Sequence, residues 1–174
     1  MKKITKCLND WNAIIEALGQ GKQTILIRTY GTTLKDFLLF PTTSYVMDQK
    51  VEDNFKKEYH EFAKENLLPN RNDNQFEIKY YAKVEKILKN IPNINYFNKY
   101  HIWESSHVNK YIRKKHPYVW VLRVYKLEQP LLLKRSQGIR YSNVNKEVSL
   151  ENLNPVISDE EFEEIFNNLK KFKL

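Results

Sequence analysis

The sequence predicts a single α+β domain in which a mixed or antiparallel sheet has helices packed outside it. The chain has 174 residues, the usual length of one domain, and 41% of them are apolar, enough for a core. No apolar run approaches the roughly 20 residues that a membrane helix needs. We therefore expect one domain over residues 1–174, with a polar loop at about 67–75, a basic loop at about 134–147 and no membrane span.

Four segments have the pattern of strands. Gln23–Thr29 carries three apolar residues in a row, which favours a strand buried on both faces. Phe37–Phe40, stopped by Pro41, is the next strand, and we expect these two to form a hairpin. Apolar and polar residues alternate through Phe76–Leu88 and Tyr118–Leu127, so both are predicted as long strands.

Helical periodicity predicts the remaining elements. In the first helix, five apolar residues would share one face: Leu8, Trp11, Ile14, Ile15 and Leu18. A second helix is expected over roughly 52–66, and a short basic helix follows Ser105. The last helix begins at Ser158, because Glu161 three residues later completes a capping box.

The composition favours a nucleic-acid partner, either RNA or DNA. The net charge is +8 and 13% of residues are aromatic, and cations contact phosphates while rings stack on bases. A protein-interaction module whose charge serves only solubility has the same composition. The single cysteine and four scattered histidines predict neither a disulfide nor a metal site, and we expect no cofactor and a cytoplasmic location.

Several side chains are candidates for binding. Lys22 and Arg28 stand at the two ends of one strand and could flank a phosphate, or could be solvated strand ends. Trp103, with His101, could form a stacking wall for an extruded base, although such a tryptophan can equally belong to the core.

The densest basic cluster follows Trp103. It consists of Lys110, Arg113, Lys114, Lys115 and His116. Farther on, Arg123 and Tyr125 share one face of a predicted strand, and a barrel interior could place both in a pocket. Alternatively, Arg123 pairs with a buried acid such as Glu16 or Glu104.

One pattern points to an enzyme instead. Glu77 and Lys79, after Asp73 or Asp53, have the loose spacing of the acid and acid-x-lysine residues of magnesium-dependent nucleases. In that chemistry the carboxylates hold the metal and the lysine steadies the attacking water. Such a short pattern also arises by chance, so nuclease activity is an alternative function.

The chain resembles a bacterial and archaeal family, domain of unknown function 1802, along nearly its whole length. The matching motifs are Trp11 with Glu16-Ala17-Leu18, Gly21-Lys22-Gln23-Thr24 through Arg28, Phe37-Leu38-Leu39-Phe40-Pro41-Thr42, His101-Ile102-Trp103, Leu122-Arg123-Val124-Tyr125-Lys126-Leu127 with Pro130, and Pro155 through Phe162. The resemblance implies no established activity. The sequence departs from the family at Thr43, Ser44, Tyr45 and Val46, where the family usually has an aromatic residue, an acid, His and Gln.

The segment from Gly21 to Arg28 also resembles the opening of ASCH domains in the PUA-like superfamily. This resemblance implies a barrel-like, PUA-like sheet and binding of RNA or modified nucleic acid, with Thr24 at the site. Some ASCH proteins are amidohydrolases acting on acetylated cytidine, with a lysine immediately before that threonine. Gln23 occupies the lysine position here, and an amide cannot act as a base. We therefore predict a non-catalytic nucleic-acid-binding module that recognises a modified or flipped base, with an ASCH-like amidohydrolase as an alternative.

Overall fold

Eight strands form one mixed sheet in residues 2–44 and 50–171, the part of the chain that this computed structural model describes. Their bounds are β1 Lys3–Trp11, β2 Ile25–Arg28, β3 Asp36–Thr42, β4 Arg71–Asn72, β5 Gln75–Leu88, β6 Tyr118–Leu133, β7 Tyr141–Ser149 and β8 Asn154–Pro155. The strands are joined in the order β2-β6-β5-β3-β1-β7, with β4 on β5 and β8 on β6. β1 and β3 are parallel, and the other pairs are antiparallel.

The helices lie outside this sheet. They are α1 Asn12–Gly19, α2 His60–Glu65, α3 Ser105–Ile112 and α4 Asp159–Lys170, with 3₁₀ turns at Val51–Asn54, Lys57–Tyr59 and Ile94–Tyr100. The predicted capping of the last helix is confirmed, because Ser158 Oγ accepts a hydrogen bond from the Glu161 amide at 3.1 Å. Within the described residues, no helix is long and apolar enough to cross a membrane.

The two faces of β6 pack in different cores. Trp120 and Leu122 lie with the apolar residues of α1, whereas Val119 and Val121 lie with Phe162 of α4. Alternation along a strand sends successive side chains to opposite faces, so helices cover this part of the sheet on both sides. The predicted α+β class, with a mixed sheet and helices packed outside, is confirmed.

The sheet curls towards a barrel without closing as a continuous ladder. β2 and β7 are the ends of the strand order. The chain that follows β6 nevertheless runs along β7, where Arg135 bridges to Val144 and the Ser136 amide donates to Asn143 O at 2.8 Å. The predicted barrel-like sheet is therefore found as a curved sheet whose strand order stays open between β2 and β7.

The predicted first helix is wrong over its first half. Lys3–Trp11 forms β1, so Leu8 and Trp11 are strand residues and the helix starts only at Asn12. β1 pairs with β3 and with β7, which are distant in sequence. These partners override a local pattern that fits a helix.

The predicted hairpin is also wrong. Ile25–Arg28 pairs with β6, and β3 lies between β5 and β1. Burial of the β2 segment on both faces is confirmed, because Leu26 packs in the core under α1 while Ile25 and Ile27 pack in the core under α4.

Three further boundaries differ from the predictions. The basic loop expected at about 134–147 is shorter, because Tyr141–Ser149 forms β7. The polar loop at about 67–75 contains β4, which folds back on β5. The second helix shrinks to α2, because Phe55 leaves helical geometry to bridge Trp103. Tyr45 and Val46, where the sequence departs from the family pattern, lie outside the described residues.

Candidate nucleic-acid interface

A cleft of about 790 Å³ opens where β1, β2 and β3 end. β1 and β3 are parallel neighbours, with Asp10 opposite Pro41 and Trp11 opposite Thr42, so their carboxyl ends reach the same edge. One wall of the cleft comes from α3, and another comes from residues 135–140, between β6 and β7. The cleft thus gathers residues from across the described chain.

The lining of the cleft is basic. Among the described residues that line it, four are cations, Arg28, Lys115, Arg135 and Arg140, and one is an acid, Asp10. Arg140 lies 3.6 Å above the centre of the Tyr30 ring, and Arg135 lies 5.5 Å from that of Phe40. These contacts hold the two guanidinium groups beside the cleft.

A nearly buried ion pair forms part of the lining. Arg28 Nη2 lies 2.6 Å from Asp10 Oδ2, and the two side chains are 13% and 10% exposed. Arg28 Nη1 also donates to Ile27 O at 3.1 Å, while Asp10 Oδ1 accepts the Trp11 amide at 2.7 Å. The pair presents donors and an acceptor side by side within the cleft.

Aromatic rings cover the wall next to α3. Trp103 stacks on Phe55 at 5.0 Å and on His107 at 4.4 Å, and it meets Trp11 edge-on at 5.1 Å. Burial, together with the charge of Lys110, lowers the pKa of His107, so this ring is neutral at pH 7. Trp103 already has stacking partners inside the protein, whereas Tyr111 on the same wall is exposed.

The structure brings three of the predicted binding residues together. Arg28, Trp103 and Lys115 all line the cleft. Lys110, on α3, and Arg113 and Lys114, just after it, are exposed beside the cleft without lining it. Arg113 ends the helix with a φ of 54°.

The structure does not bring Lys22 and Arg28 together in the cleft. Lys22 precedes β2 and Arg28 ends it, so the two side chains stand at opposite ends of this segment. The Lys22 ammonium lies 5.3 Å from the centre of the Phe62 ring, outside the cleft.

Thr24 and His101 are buried, which contradicts their predicted role at a binding surface. His101 Nδ1 accepts the Trp103 amide at 3.1 Å, and burial, with Lys56 nearby, lowers the pKa of His101 to about 3. Gln23 is also buried: its amide donates to Ile25 O at 2.9 Å and accepts from the Ile102 amide at 3.1 Å. This segment joins the start of β2 to residues 101–103.

Arg123 and Tyr125 also lie outside the cleft, contrary to the prediction. Arg123 Nη2 contacts Asp159 Oδ1 at 2.6 Å and Ile157 O at 3.2 Å, and the guanidinium lies 4.6 Å from the centre of the Phe162 ring. The acid that pairs with Arg123 is therefore at the start of α4 and is not Glu16 or Glu104. Tyr125 is opposite Pro155 of β8.

The predicted nuclease residues do not form a metal site. Lys79 forms an ion pair with the buried carboxylate of Glu16 and lies 4.0 Å from Glu77. Asp73 is in the turn between β4 and β5, with a φ of 55°. Within residues 2–44 and 50–171, no group of three His, Cys, Asp or Glu residues could hold a metal ion.

Several polar and aromatic residues that line the cleft are not among the binding residues predicted from the sequence, including Asp10, Tyr30, Tyr111, Arg135 and Arg140. Asp10 directly precedes Trp11 of the predicted first helix, and Tyr30 directly precedes a glycine, so neither residue stands out as a binding residue. Arg135 and Arg140 lie in the predicted basic loop. An isolated apolar residue, Ile139, stands between Gly138 and Arg140 in this loop and is the feature of the sequence that could have drawn attention to it.

Fold and site together define a curled mixed-sheet domain with a basic, aromatic-lined cleft. The chain belongs to the family described as Domain of unknown function (DUF1802), whose model matches residues 7–168. The family membership predicted from the sequence is therefore confirmed.

Solved structures that are similar to this chain include ASCH proteins of Zymomonas mobilis. A serine-to-alanine variant aligns with a TM-score of 0.49 at 10% identity, covering 94% of each chain. Another ASCH structure from the same organism aligns with a TM-score of 0.44 at 11% identity, covering 93% of each chain. Similarity at this level carries no argument about activity. No curated protein matches the chain.

Proposed function

We propose that the chain is a nucleic-acid-binding module and that the cleft receives a nucleotide whose base has left its stack. The observation that carries this proposal is the convergence of four cations and several aromatic rings in one cleft that has a single acid among its described lining residues. Cations that contact phosphates and rings that contact bases are the two elements of single-strand recognition.

The size of the cleft fits one nucleotide. Its volume of about 790 Å³ lies within the range of about 300–1,000 Å³ typical of small-molecule sites. Lys115 and Arg140 line different walls of the cleft, and we expect them to contact phosphates of the bound nucleotide. The exposed ring of Tyr111 supplies a surface on which a base could stack, while the Tyr30 ring is already covered by the Arg140 guanidinium.

The buried ion pair supplies the polar contacts for the edge of a base. The Asp10 carboxylate has lone pairs beyond those used by Arg28 and the Trp11 amide, and can accept from a ring N–H or an exocyclic amino group. Arg28 is held beside it with five N–H donors in a fixed fork. This arrangement favours recognition of a flipped or modified base.

Catalysis is not part of the proposal. Gln23, which takes the place of the lysine in ASCH amidohydrolases, has its amide engaged by backbone groups, and Lys79 is paired with Glu16. Incubating plasmid and RNA with the protein and magnesium or manganese tests this directly. Cleavage by wild type that is lost in both Glu77→Ala and Lys79→Ala would make the nuclease alternative the leading one.

The experiment that tests binding is a salt titration with labelled single-stranded RNA and DNA. We expect affinity to fall as salt rises, and each of Lys115→Ala and Arg140→Ala to reduce the log–log salt slope by about 0.7–0.9. Lys64→Ala is the matched control, because Lys64 is an exposed cation on α2 that does not line the cleft.

Two results would contradict the proposal. Absence of binding at low salt would favour the protein-interaction module whose charge serves solubility. An equal loss of affinity for Lys64→Ala and Lys115→Ala would show that the positive charge acts without regard to the cleft.

The intracellular location, predicted as cytoplasmic, stays a prediction.

A further inference from the structure

Ile139 is an apolar side chain held almost entirely in solvent. It is 95% exposed, compared with 62% for Tyr96 and 61% for Leu68, the next most exposed of the large apolar residues described. Ile139 lies at the mouth of the cleft, in the segment between β6 and β7. Single exposed apolar residues are common, but this one is presented at the candidate binding site.

The chain on both sides of Ile139 is fixed. Asn9, itself buried, donates from Nδ2 to Gly138 O at 3.1 Å and from its backbone amide to Arg140 O at 2.9 Å. Arg135 Nη1 donates to Gly138 O at 3.0 Å from inside the loop. These bonds hold the backbone while leaving the isoleucine side chain free.

Gly138 is required by the shape of this turn. A Cβ at Gly138 would lie 1.8 Å from Tyr141 O, so the turn cannot accommodate a side chain here. At the base of the loop, the Ser136 amide donates to Asn143 O at 2.8 Å, and the Asn143 amide donates to Ser136 Oγ at 2.9 Å. The segment is therefore a preorganised finger with Ile139 at its tip.

We infer that Ile139 is a wedge that enters the base stack of a double helix and displaces one nucleotide into the cleft. This inference rests on the proposed function and adds the substrate class, a duplex. Apolar side chains inserted between base steps unstack them, and the position vacated by an extruded base is left without a stacking partner. Ile139 would fill it.

The charges around the finger match this geometry. Arg135 and Arg140 stand on either side of Ile139 in sequence, and both line the cleft. They are placed to hold phosphates of the strand that is opened, while the isoleucine occupies the gap between bases. A single strand has no stack to be opened and would not require the wedge.

The test uses short RNA and DNA duplexes in which aminopurine lies opposite a base that it does not pair with. Aminopurine fluoresces more strongly when it leaves the stack, so wild type should raise the fluorescence of at least one duplex. Ile139→Ala should abolish this rise and lower affinity for that duplex by about tenfold, a larger loss than the same variant shows for single strands. Ile139→Met, which keeps a long apolar side chain, should retain most of the rise.

Leu68→Ala is the matched control, because Leu68 is exposed, apolar and absent from the cleft lining. If Ile139→Ala keeps both the rise and the duplex affinity, the wedge is overturned while nucleic-acid binding stands. A wild-type protein that binds single strands and leaves duplex fluorescence unchanged also overturns it. If no strand binds at all, the proposed function and the wedge fail together.

Discussion

Arg28 and Arg123 each form an ion pair with an aspartate, in two different regions of the molecule. Each is an arginine on a strand of the same sheet, and each contacts an aspartate at 2.6 Å. Arg28 and Asp10 are both nearly buried, whereas Arg123 is 10% exposed and its partner Asp159 is 89% exposed. Arg28 lines the cleft, while Arg123 lies against Phe162 at the start of α4.

The difference separates residues that can bind a ligand from residues that hold the fold. The cleft combines Arg28 with other cations and partly exposed rings. Arg123, Thr24 and His101 lie in the interior around α4 and the start of β2. Other residues of the protein surround them and leave them buried from solvent. Substitutions in the cleft should change binding, and also stability where they break the Arg28–Asp10 pair, whereas those in the interior should change stability alone.

The largest effect is expected for Arg28→Ala, which breaks the buried pair from one side. It leaves Asp10 as a buried carboxylate without its cation, and such a loss costs about 3–5 kcal/mol of the free energy of unfolding. Urea denaturation measures this change. Combining Arg28→Ala with Asp10→Asn should recover part of the loss, because the amide does not need a countercharge.

The double variant is therefore the decisive comparison. If Arg28→Ala alone and Arg28→Ala with Asp10→Asn are equally unstable, an uncompensated charge is not the cause. The cost would then come from lost packing of the guanidinium on Trp120, whose ring centre lies 5.9 Å away.

A smaller effect is expected for the buried His101 when the pH is lowered. Burial lowers its pKa from 6.5 to about 3, so above pH 6.5 the ring is neutral in both the folded and the unfolded chain. Below pH 6.5 the unfolded chain binds a proton that the folded chain does not take up until about pH 3, and stability falls. At around pH 5 this loss is roughly 2 kcal/mol.

His101→Asn is the matched control for this pH effect. An asparagine carbonyl can still accept a hydrogen bond from the Trp103 amide, and it does not titrate. Urea unfolding of both proteins near neutral and near mildly acidic pH should show a smaller decrease for His101→Asn. An equal decrease in the two proteins would assign the pH effect to other groups, such as His107.

The smallest of these effects is expected for the pair at α4. Arg123→Ala removes contacts to Asp159, Ile157 O and Phe162, and should lower the free energy of unfolding by about 1–2 kcal/mol. Asp159→Asn should cost less than about 1 kcal/mol, because its carboxylate is largely solvated. Neither change should alter nucleic-acid affinity; a loss of affinity at unchanged stability would move Arg123 into the binding site.

Elements with strong local patterns could be predicted from the sequence. α4 follows from its capping box and apolar stripe, and the long strands β5 and β6 follow from their alternation. β1 could not be predicted, because Leu8 and Trp11 continue the helical spacing of α1 and only distant partners make the segment a strand. The polar residues at the exposed positions of β7 give this strand the local pattern of a loop.

The candidate site was predictable only in part for the same reason. Trp103 and Lys115 are near each other in the sequence, and Arg28 stands out at a strand end. Asp10 and Arg140 join them only through the pairing of β1 with β3 and the anchoring of Arg140 O by Asn9. His101 and Arg123 have the same residue types as binding sites, and burial, which the sequence did not specify, gives them other roles.

The pairing of β1 has a consequence for synthesis on the ribosome. β3 is synthesised well before β7. One edge of β1 can therefore pair early, while its other edge stays unpaired until β7 is made, where Lys3 is opposite Ser149. At about 5–20 residues per second, that edge is open for on the order of ten seconds. Lysines discourage an open edge from pairing with the wrong chain, and β1 carries Lys3 and Lys6. Stalled nascent chains should therefore resist pulsed proteolysis in β1 only once Ser149 has left the exit tunnel.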